Sequence, residues 1–482
     1  VTASGVVLYD PASDNFDPYS VNGRNHSASS ISAWREELEG YRQGRNPRAT
    51  RDPNFSSTRV TRIAATFIDF EEEWSPDQRP TSDRGTLNQN HDRPVLLSDN
   101  HIARLRNIIW LGIASFSFPW RYNTKTHRVD LFTPFLTKLW RLIWYMSVVQ
   151  SAGIAVFQVH SFYSRMGGTD ETGSWRPVFM SSFSVLWYCY SLSLSATMFW
   201  YGEAMRNYVN AMLEINGKLV DAYLITAEGH KEGGQILLNL SIPTNITQTF
   251  ISISLFLTFP NSPWYLYNYV YSPDHGWWWL IPGALHEFVF AGQVLCLYLL
   301  IAWIVVAHAN SVTFWLQEAH KLNDSEMTRT NLRQPNNAIR VYRSLQVLTN
   351  LFNDAMAPMA IPVVKVISWT ALIPCGFVLT RSMSGGKFVR ELPGILTYPL
   401  AVIDCASCPF GLLQMGARMY DITASFLTSW SQTRHFALRK ILISCPLLKA
   451  KIGGLYYITT STTIQFFKSA LDYIINAIVS FP

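Results

Sequence analysis

The sequence predicts an all-α membrane protein: seven transmembrane helices, the N-terminus cytosolic, the C-terminus extracellular, and cytosolic helix extensions forming an anchor domain. Three observations predict it. Only 15% of the 482 residues are charged and 48% are hydrophobic, where an ordinary soluble domain is about a quarter charged. Seven apolar runs are long enough to cross a hydrocarbon core of roughly 30 Å. Basic residues gather in alternate connecting loops, the pattern left by positive-inside insertion.

The chain opens with residues 1–93, rich in Ser, Asn, Asp, Arg and Pro. That composition buries too little apolar surface to order itself, so the region is expected to be disordered and cytosolic. It also dilutes the mean hydropathy to +0.08. Residues 94–138 form a cytosolic or interfacial helical segment, because the apolar stretch from Ile102 meets Pro119-Trp120-Arg121 too soon to span. Seven spans follow, at 139–162, 178–201, 236–259, 278–308, 357–379, 392–415 and 455–481. The third is diluted by Thr244, Asn245, Thr247, Gln248 and Thr249, which should face the protein interior. The fourth exceeds a bilayer's need and should tilt or project.

Orientation follows from the loops. Loops two, four and six hold Arg206, Lys218 and Lys231; Lys321, Arg329, Arg333, Arg340 and Arg343; and Arg418, Arg434, Arg439, Lys440, Lys449 and Lys451. Loops one, three and five hold only Arg165, Arg176, Arg381, Lys387 and Arg390, which makes fourteen against five. Both the orientation and the lack of a cysteine bridge in the outer loops exclude a G-protein-coupled receptor. Loop four carries Val312, Leu316, Ala319 and Leu322, then Tyr342, Leu345, Leu348 and Phe352; loop six carries Phe426, Trp430 and Leu442. These helical spacings continue the spans into the cytosol as amphipathic helices. Their stripes pack within one subunit or gather several subunits round an axis.

The net charge of +6 is small for this length and does not point to nucleic acid. All six cysteines fall in or beside apolar runs, so no disulfide framework is implied. Cys405-Ala-Ser-Cys408 lacks a second pair or a nearby histidine, and reads as two small buried residues. No His-x-x-x-His or His-Glu-x-x-His pattern exists, so no metal site, cofactor or catalytic residue is expected.

The last run, 455–481, is unusual because Lys468, Asp472 and Asn476 share one helical face. Ionisable groups in hydrocarbon cost several kcal/mol each. The stripe therefore packs on neighbouring helices or lines water.

Three stretches resemble the insect odorant and gustatory receptor superfamily. They are Tyr342-Arg343-Ser-Leu345-Gln-Val-Leu348-Thr-Asn350-Leu351-Phe352-Asn353-Asp354; Leu-Gly-Ile-Ala-Ser-Phe-Ser-Phe-Pro119-Trp120; and the C-terminal block with Pro446-Leu447-Leu448-Lys449-Ala450, Gly453-Gly454, a Ser/Thr-rich helix start and Tyr473. The resemblance implies a plasma-membrane, ligand-gated, non-selective cation channel for taste or odour molecules, assembled as a homo- or heterotetramer, whose last helix lines the pore. The gustatory signature Thr-Tyr, five apolar residues, Gln-Phe would fall at 472–480. Tyr473 matches, while Asp472, Val479 and Ser480 depart from it, so the chain is a divergent member in this reading. Pore and gate positions are then Lys468, Asp472, Ile475, Asn476, Ile478, Val479 and Ser480. A small-molecule ligand would meet Trp187, Tyr188, Phe250, Ser254, Trp279, His286, Glu287 and Phe290 among spans two, three, four and six. The alternatives are a non-conducting membrane scaffold of the same fold, or a polytopic transporter or enzyme.

Overall fold

The computed structural model describes residues 99–167, 176–226, 234–260, 265, 278, 280–384, 397–431 and 436–480. All belong to one compact unit, Asp92–Pro482; residues 1–93 lie outside the described residues. The elements in order are α1 (Asp99–Ala114), β1 (Trp120–Asn123), β2 (Arg128–Leu131), α2 (Pro134–Gly167), α3 (Arg176–Tyr223), α4 (Gln235–Thr258) and α5 (Leu280–Glu318). After a short 3-10 turn at Thr330–Arg333 come α6 (Pro335–Met356), α7 (Ala360–Ser384), α8 (Thr397–Ser431), α9 (Phe436–Ser444), β3 (Lys451–Ile452), β4 (Tyr456–Tyr457) and α10 (Thr460–Ser480).

Among the described residues, five helices are long and apolar enough to cross a membrane: α2, α4, α5, α7 and α8. The chain is thus mostly helical and membrane-protein in character. The other two predicted spans are helical as α3 and α10. α5 is apolar on every side, and such a helix must be buried all round. Every residue from Phe290 to Leu316 is buried, with α1, α3, α4, α6 and α8 packed about it.

Several helices run past their predicted ends, for a visible reason. α3 continues from the expected stop at 201 to Tyr223. Met205, Tyr208, Val209, Met212, Ile215 and Leu219 keep an apolar stripe at helical spacing, and all are buried. α5 likewise continues to Glu318. The apolar stripes of these extensions meet one another within a single chain. Tyr342 of α6 stacks on Phe426 of α8 with ring centroids 5.5 Å apart. The Trp430 indole donates to the Ala319 carbonyl at 3.1 Å, and the Trp315 indole to Asn216 Oδ1 at 3.1 Å. Leu322, assigned to the same stripe in the sequence, instead lies exposed because the helix has already ended at Glu318. Burial pushes the Tyr342 hydroxyl pKa up, and the hydroxyl donates to the Pro446 carbonyl.

Two hairpins replace segments expected to be helical. Among the described residues of 94–138, only α1 and the first turn of α2 are helical. Its end is followed by Phe116 at positive φ and then by the antiparallel β1–β2 pair, Trp120 opposite Leu131. Asn210 of α3 holds that hairpin, accepting from the Val129 amide at 2.7 Å and donating to its carbonyl at 3.0 Å. The second hairpin, β3–β4, means that α10 begins at Thr460 and not at 455. Gly453 turns it at φ +61, a conformation that side chains resist. Its amide bonds the Ala357 carbonyl at 2.8 Å.

Asn353, near the end of α6, clamps the strand entry: it donates to the Lys449 carbonyl at 2.8 Å and accepts from the Lys451 amide at 2.9 Å. Asn353→Ala leaves both backbone groups short of a partner at a buried position. Each such loss costs about 1–3 kcal/mol. A lowered melting temperature of the purified chain, monitored by tryptophan fluorescence, is the expected outcome. An unchanged melting temperature would show that the clamp is dispensable.

Candidate functional site

Two regions are candidates for function: a cavity among the spans, which one of the predicted ligand-contacting residues lines, and the last helix. The cavity is formed by α3, α4, α5, α7 and α8 and has a volume of about 50 Å³. Trp187, Tyr190, Asn245, Gln248, Tyr298, Ser368, Asp404 and Cys405 are among its lining. Pro243 in α4 and Pro409 in α8 lie close by in sequence. An internal proline removes one backbone bond and bends its helix.

Asp404 is the charged centre of this cavity. Only 5% of it is exposed. Its carboxylate accepts from Thr244 Oγ1 at 2.7 Å and from Gln248 Nε2 at 2.7 Å. The Tyr298 hydroxyl donates to the Asp404 main-chain carbonyl at 3.1 Å. Of the polar run that diluted the predicted third span, Thr244, Asn245, Gln248 and Thr249 thus turn inward, while Thr247 is exposed on the other side of the helix. Asp404 falls within the predicted sixth span and is not among the ligand-contacting residues expected from the sequence. The signal was present: Thr244 and Gln248 are four residues apart, so one face of α4 offers two donors to a neighbour.

The predicted ligand-contacting residues divide into separate groups. Trp187 lines the Asp404 cavity. Tyr188, the next residue, packs with Phe290 at 5.0 Å in a cluster that includes Ile154 and Ala155, and Trp187 also packs against that cluster, so it borders both. His286 stacks on Phe290 at 6.1 Å and meets the Gln150 amide, and its Nδ1 is 3.4 Å from the buried Glu287 carboxylate. α2, α3 and α5 therefore bring Tyr188, His286, Glu287 and Phe290 together. Phe250 and Ser254 are not in either group. They lie on the exposed outer face of α4, with Phe250 62% exposed, since the inner face is taken by Thr244, Asn245 and Thr249. Trp279 lies outside the described residues.

The last helix, α10, packs against α7 and α8. The α7 contact is specific: the Trp369 indole donates to Ser469 Oγ at 3.0 Å, and Trp369 meets Tyr473 edge-on at 5.2 Å. Arg381 donates to the Ile478 carbonyl at 2.9 Å. At Gly376 an added Cβ would lie 2.8 Å from Ile474 Cδ1, so the helices approach as closely as glycine allows. The buried face is Thr462, Thr463, Phe466 and Ala470.

The opposite face of α10 is exposed and carries Lys468, Asp472, Ile475, Asn476 and Val479; Ser480, the last residue of the helix, is also exposed but falls at the angle of Thr462. At about 100° per residue, Val479 falls roughly 20° from Asp472. Lys468 and Asp472 make no ion pair with each other or with any other described residue. Ile478 is the exception among the predicted pore positions. It packs against the cluster of Cys375, Phe377, Val378, Tyr398 and Ala401 and so turns away from the exposed face. Grooves flank α10 on both sides, one of about 820 Å³ against α7 and one of about 860 Å³ against α8.

With these features in place, the chain can be compared with known proteins. No family model and no curated protein matches it. Among solved structures it is similar to the insect olfactory receptor OR5 from Machilis hrabei, at 10% identity and a TM-score of 0.47, over 79% of this chain and 99% of that one. It is also similar to the same receptor in complex with eugenol, at 10% identity and a TM-score of 0.49, over 80% of this chain and 100% of that one. The neighbours are insect olfactory receptors.

The division of the aromatic residues is testable through stability. Phe290→Ala removes a buried ring and is expected to cost about 3–5 kcal/mol. Phe250→Ala, on the exposed face, should cost less than about 0.5 kcal/mol. Parallel thermal unfolding of the two variants in the same membrane mimetic checks this. Equal losses would place Phe250 in the core.

Proposed function

We propose that this chain is a chemosensory receptor of the insect odorant and gustatory type, acting as a ligand-gated non-selective cation channel. Seven helices cross the plasma membrane, α2, α3, α4, α5, α7, α8 and α10, with the N-terminus inside and the C-terminus outside. The observation that carries the proposal is the one-sided packing of α10. Its inner face is seated on α7 and α8, while Lys468, Asp472 and Asn476 project from the other. Facing lipid, that stripe costs several kcal/mol per ionisable group; facing a shared aqueous axis, it costs little.

Four copies of the helix round one axis supply both parts of a channel. A ring of Asp472 carboxylates favours cations over anions. A ring of Ile475 or Val479 closes by dewetting. Asn476 lines the intervening surface. A small molecule bound among α3, α4, α5 and α8 shifts the population toward the open arrangement to the extent that it binds that arrangement more tightly. The four copies are identical or include a second receptor chain of the same fold.

Recording from the purified chain in planar bilayers under a panel of volatile and tastant ligands tests the proposal. Ligand-evoked cation currents are expected, and Asp472→Ala should lower unitary conductance several-fold and weaken cation preference. Absence of current under every ligand, together with a monomer by native mass measurement, would leave the non-conducting scaffold as the better reading. Orientation has its own check. An epitope tag after the last residue should bind antibody on intact cells, and a tag reached only after permeabilisation would refute the topology.

A further inference from the structure

The Asp404 cavity has a charge that nothing in the described protein balances. Its lining includes no Lys, Arg or His. The carboxylate is held by two neutral donors, Thr244 and Gln248. Hydrogen bonds of this kind orient an anion but leave its charge uncompensated, and breaking or omitting the counter-ion of a buried charge costs several kcal/mol. Two further oxygens wait at the same place without hydrogen-bond partners among the described residues: the Tyr190 hydroxyl and Asn245 Oδ1. Both residues are more than nine-tenths buried, Tyr190 at 9% exposure and Asn245 at 2%. Each lines the cavity. Buried polar atoms are almost always paired, so unpaired ones beside free space mark a missing partner.

The chemistry of that partner follows from the donor set. It must carry a positive charge and donate several hydrogen bonds to a carboxylate, an amide oxygen and a phenol oxygen. Aromatic rings complete the wall: Tyr190 meets Tyr298 edge-on at 6.1 Å and Trp187 at 6.4 Å. Ring faces attract an organic ammonium. One water needs roughly 10–15 Å³ of such space. At about 50 Å³ the cavity holds a few waters, or an ammonium head with a short alkyl tail. We infer that the Asp404 cavity is a binding site for a small protonated primary amine, with Asp404 as the counter-ion, Tyr190 and Asn245 as further acceptors, and Leu295, Ile367 and Ala371 receiving the tail.

This inference names the ligand class of the receptor reading and rests on that reading only for its biological role, because binding is measured without current. The full-length chain, reconstituted in lipid nanodiscs at neutral pH, is titrated with n-propylammonium chloride, with neutral n-propanol and with sodium chloride, following thermal stability and intrinsic fluorescence. Saturable stabilisation by propylammonium is expected, with no saturable effect of propanol. Sodium at equal concentration should compete by less than a factor of two. Asp404→Asn keeps the shape and removes the charge; it should fold, and should lose at least ten-fold in propylammonium affinity. Tyr190→Phe, which removes only the hydroxyl, should lose about three-fold. Equal stabilisation by propanol, retention of affinity in folded Asp404→Asn, or a sodium response that displaces the amine would each overturn the amine assignment. Amine binding without any ligand-evoked current would instead count against the channel reading and leave this site standing.

Discussion

The constraint on which the structure depends is the all-round burial of α5. A helix carrying apolar residues on every face has no side to offer to water, and it must be enclosed. From Phe290 to Leu316 that enclosure is complete. Even the polar residues of this stretch are internal: Ser311 bonds Asn216 of α3 at 2.6 Å, and the His308 ring stacks on Phe352 of α6 at 4.1 Å. The surrounding helices are accordingly sorted by the face they turn to α5. α3 and α8 run well beyond bilayer length because α5 itself continues to Glu318 and must be covered there too. The helix extensions are thus a consequence of the central helix, packed continuously with it.

α10 obeys the opposite condition. It packs on α7 and α8, and it is fixed by a few directional contacts on one side: Trp369 with Ser469, Gly376 with Ile474, and Arg381 with the Ile478 carbonyl. Its start is fixed as firmly, by the β3–β4 turn at Gly453 and by the Asn353 clamp on Lys449 and Lys451. A helix held this way keeps its register along the bundle while leaving a whole face free of intrachain partners. The free face mixes Asp472 and Asn476 with Ile475 and Val479. Neither lipid nor water alone suits that mixture, and this is the physical ground of the proposal that the face lines a pore.

How much of this was legible in the sequence depended on the distance over which each feature is determined. Apolar runs reveal helices because burial needs a stretch of chain, so all seven expected spans correspond to helices, with ends displaced where an apolar stripe outlasts the hydrophobic run, as at Met205 to Leu219. Hairpins were not legible. β3–β4 depends on one glycine at positive φ and on a clamp from Asn353, almost a hundred residues earlier. Angular placement within a span was legible only where polarity betrayed it. Thr244, Asn245 and Gln248 announce their inward face, while Phe250 and Trp187 are both aromatic and nothing local says that one faces outward and the other a cavity. The packing of Ile478 was hidden for the same reason: in sequence, an isoleucine seated on Phe377 looks like its neighbours Ile475 and Val479 on the exposed face.

The cavity and the last helix are not independent, because the same two elements build both. On α7, Ile367, Ser368 and Ala371 line the cavity, while Lys365, Trp369 and Gly376 face α10 and its groove. On α8, Ala401, Asp404 and Cys405 line the cavity, while Ile403, Ser407 and Phe410 line the groove beside α10. One helix thickness therefore separates the cavity from the seat of α10. Close-packed interiors transmit a displacement as a shift between discrete arrangements and do not absorb it smoothly. In the proposed receptor, a ligand drawn to Asp404 would act on α8, whose backbone also accepts the Tyr298 hydroxyl bond, and would therefore act on one of the two helices that seat α10, with no long relay between them.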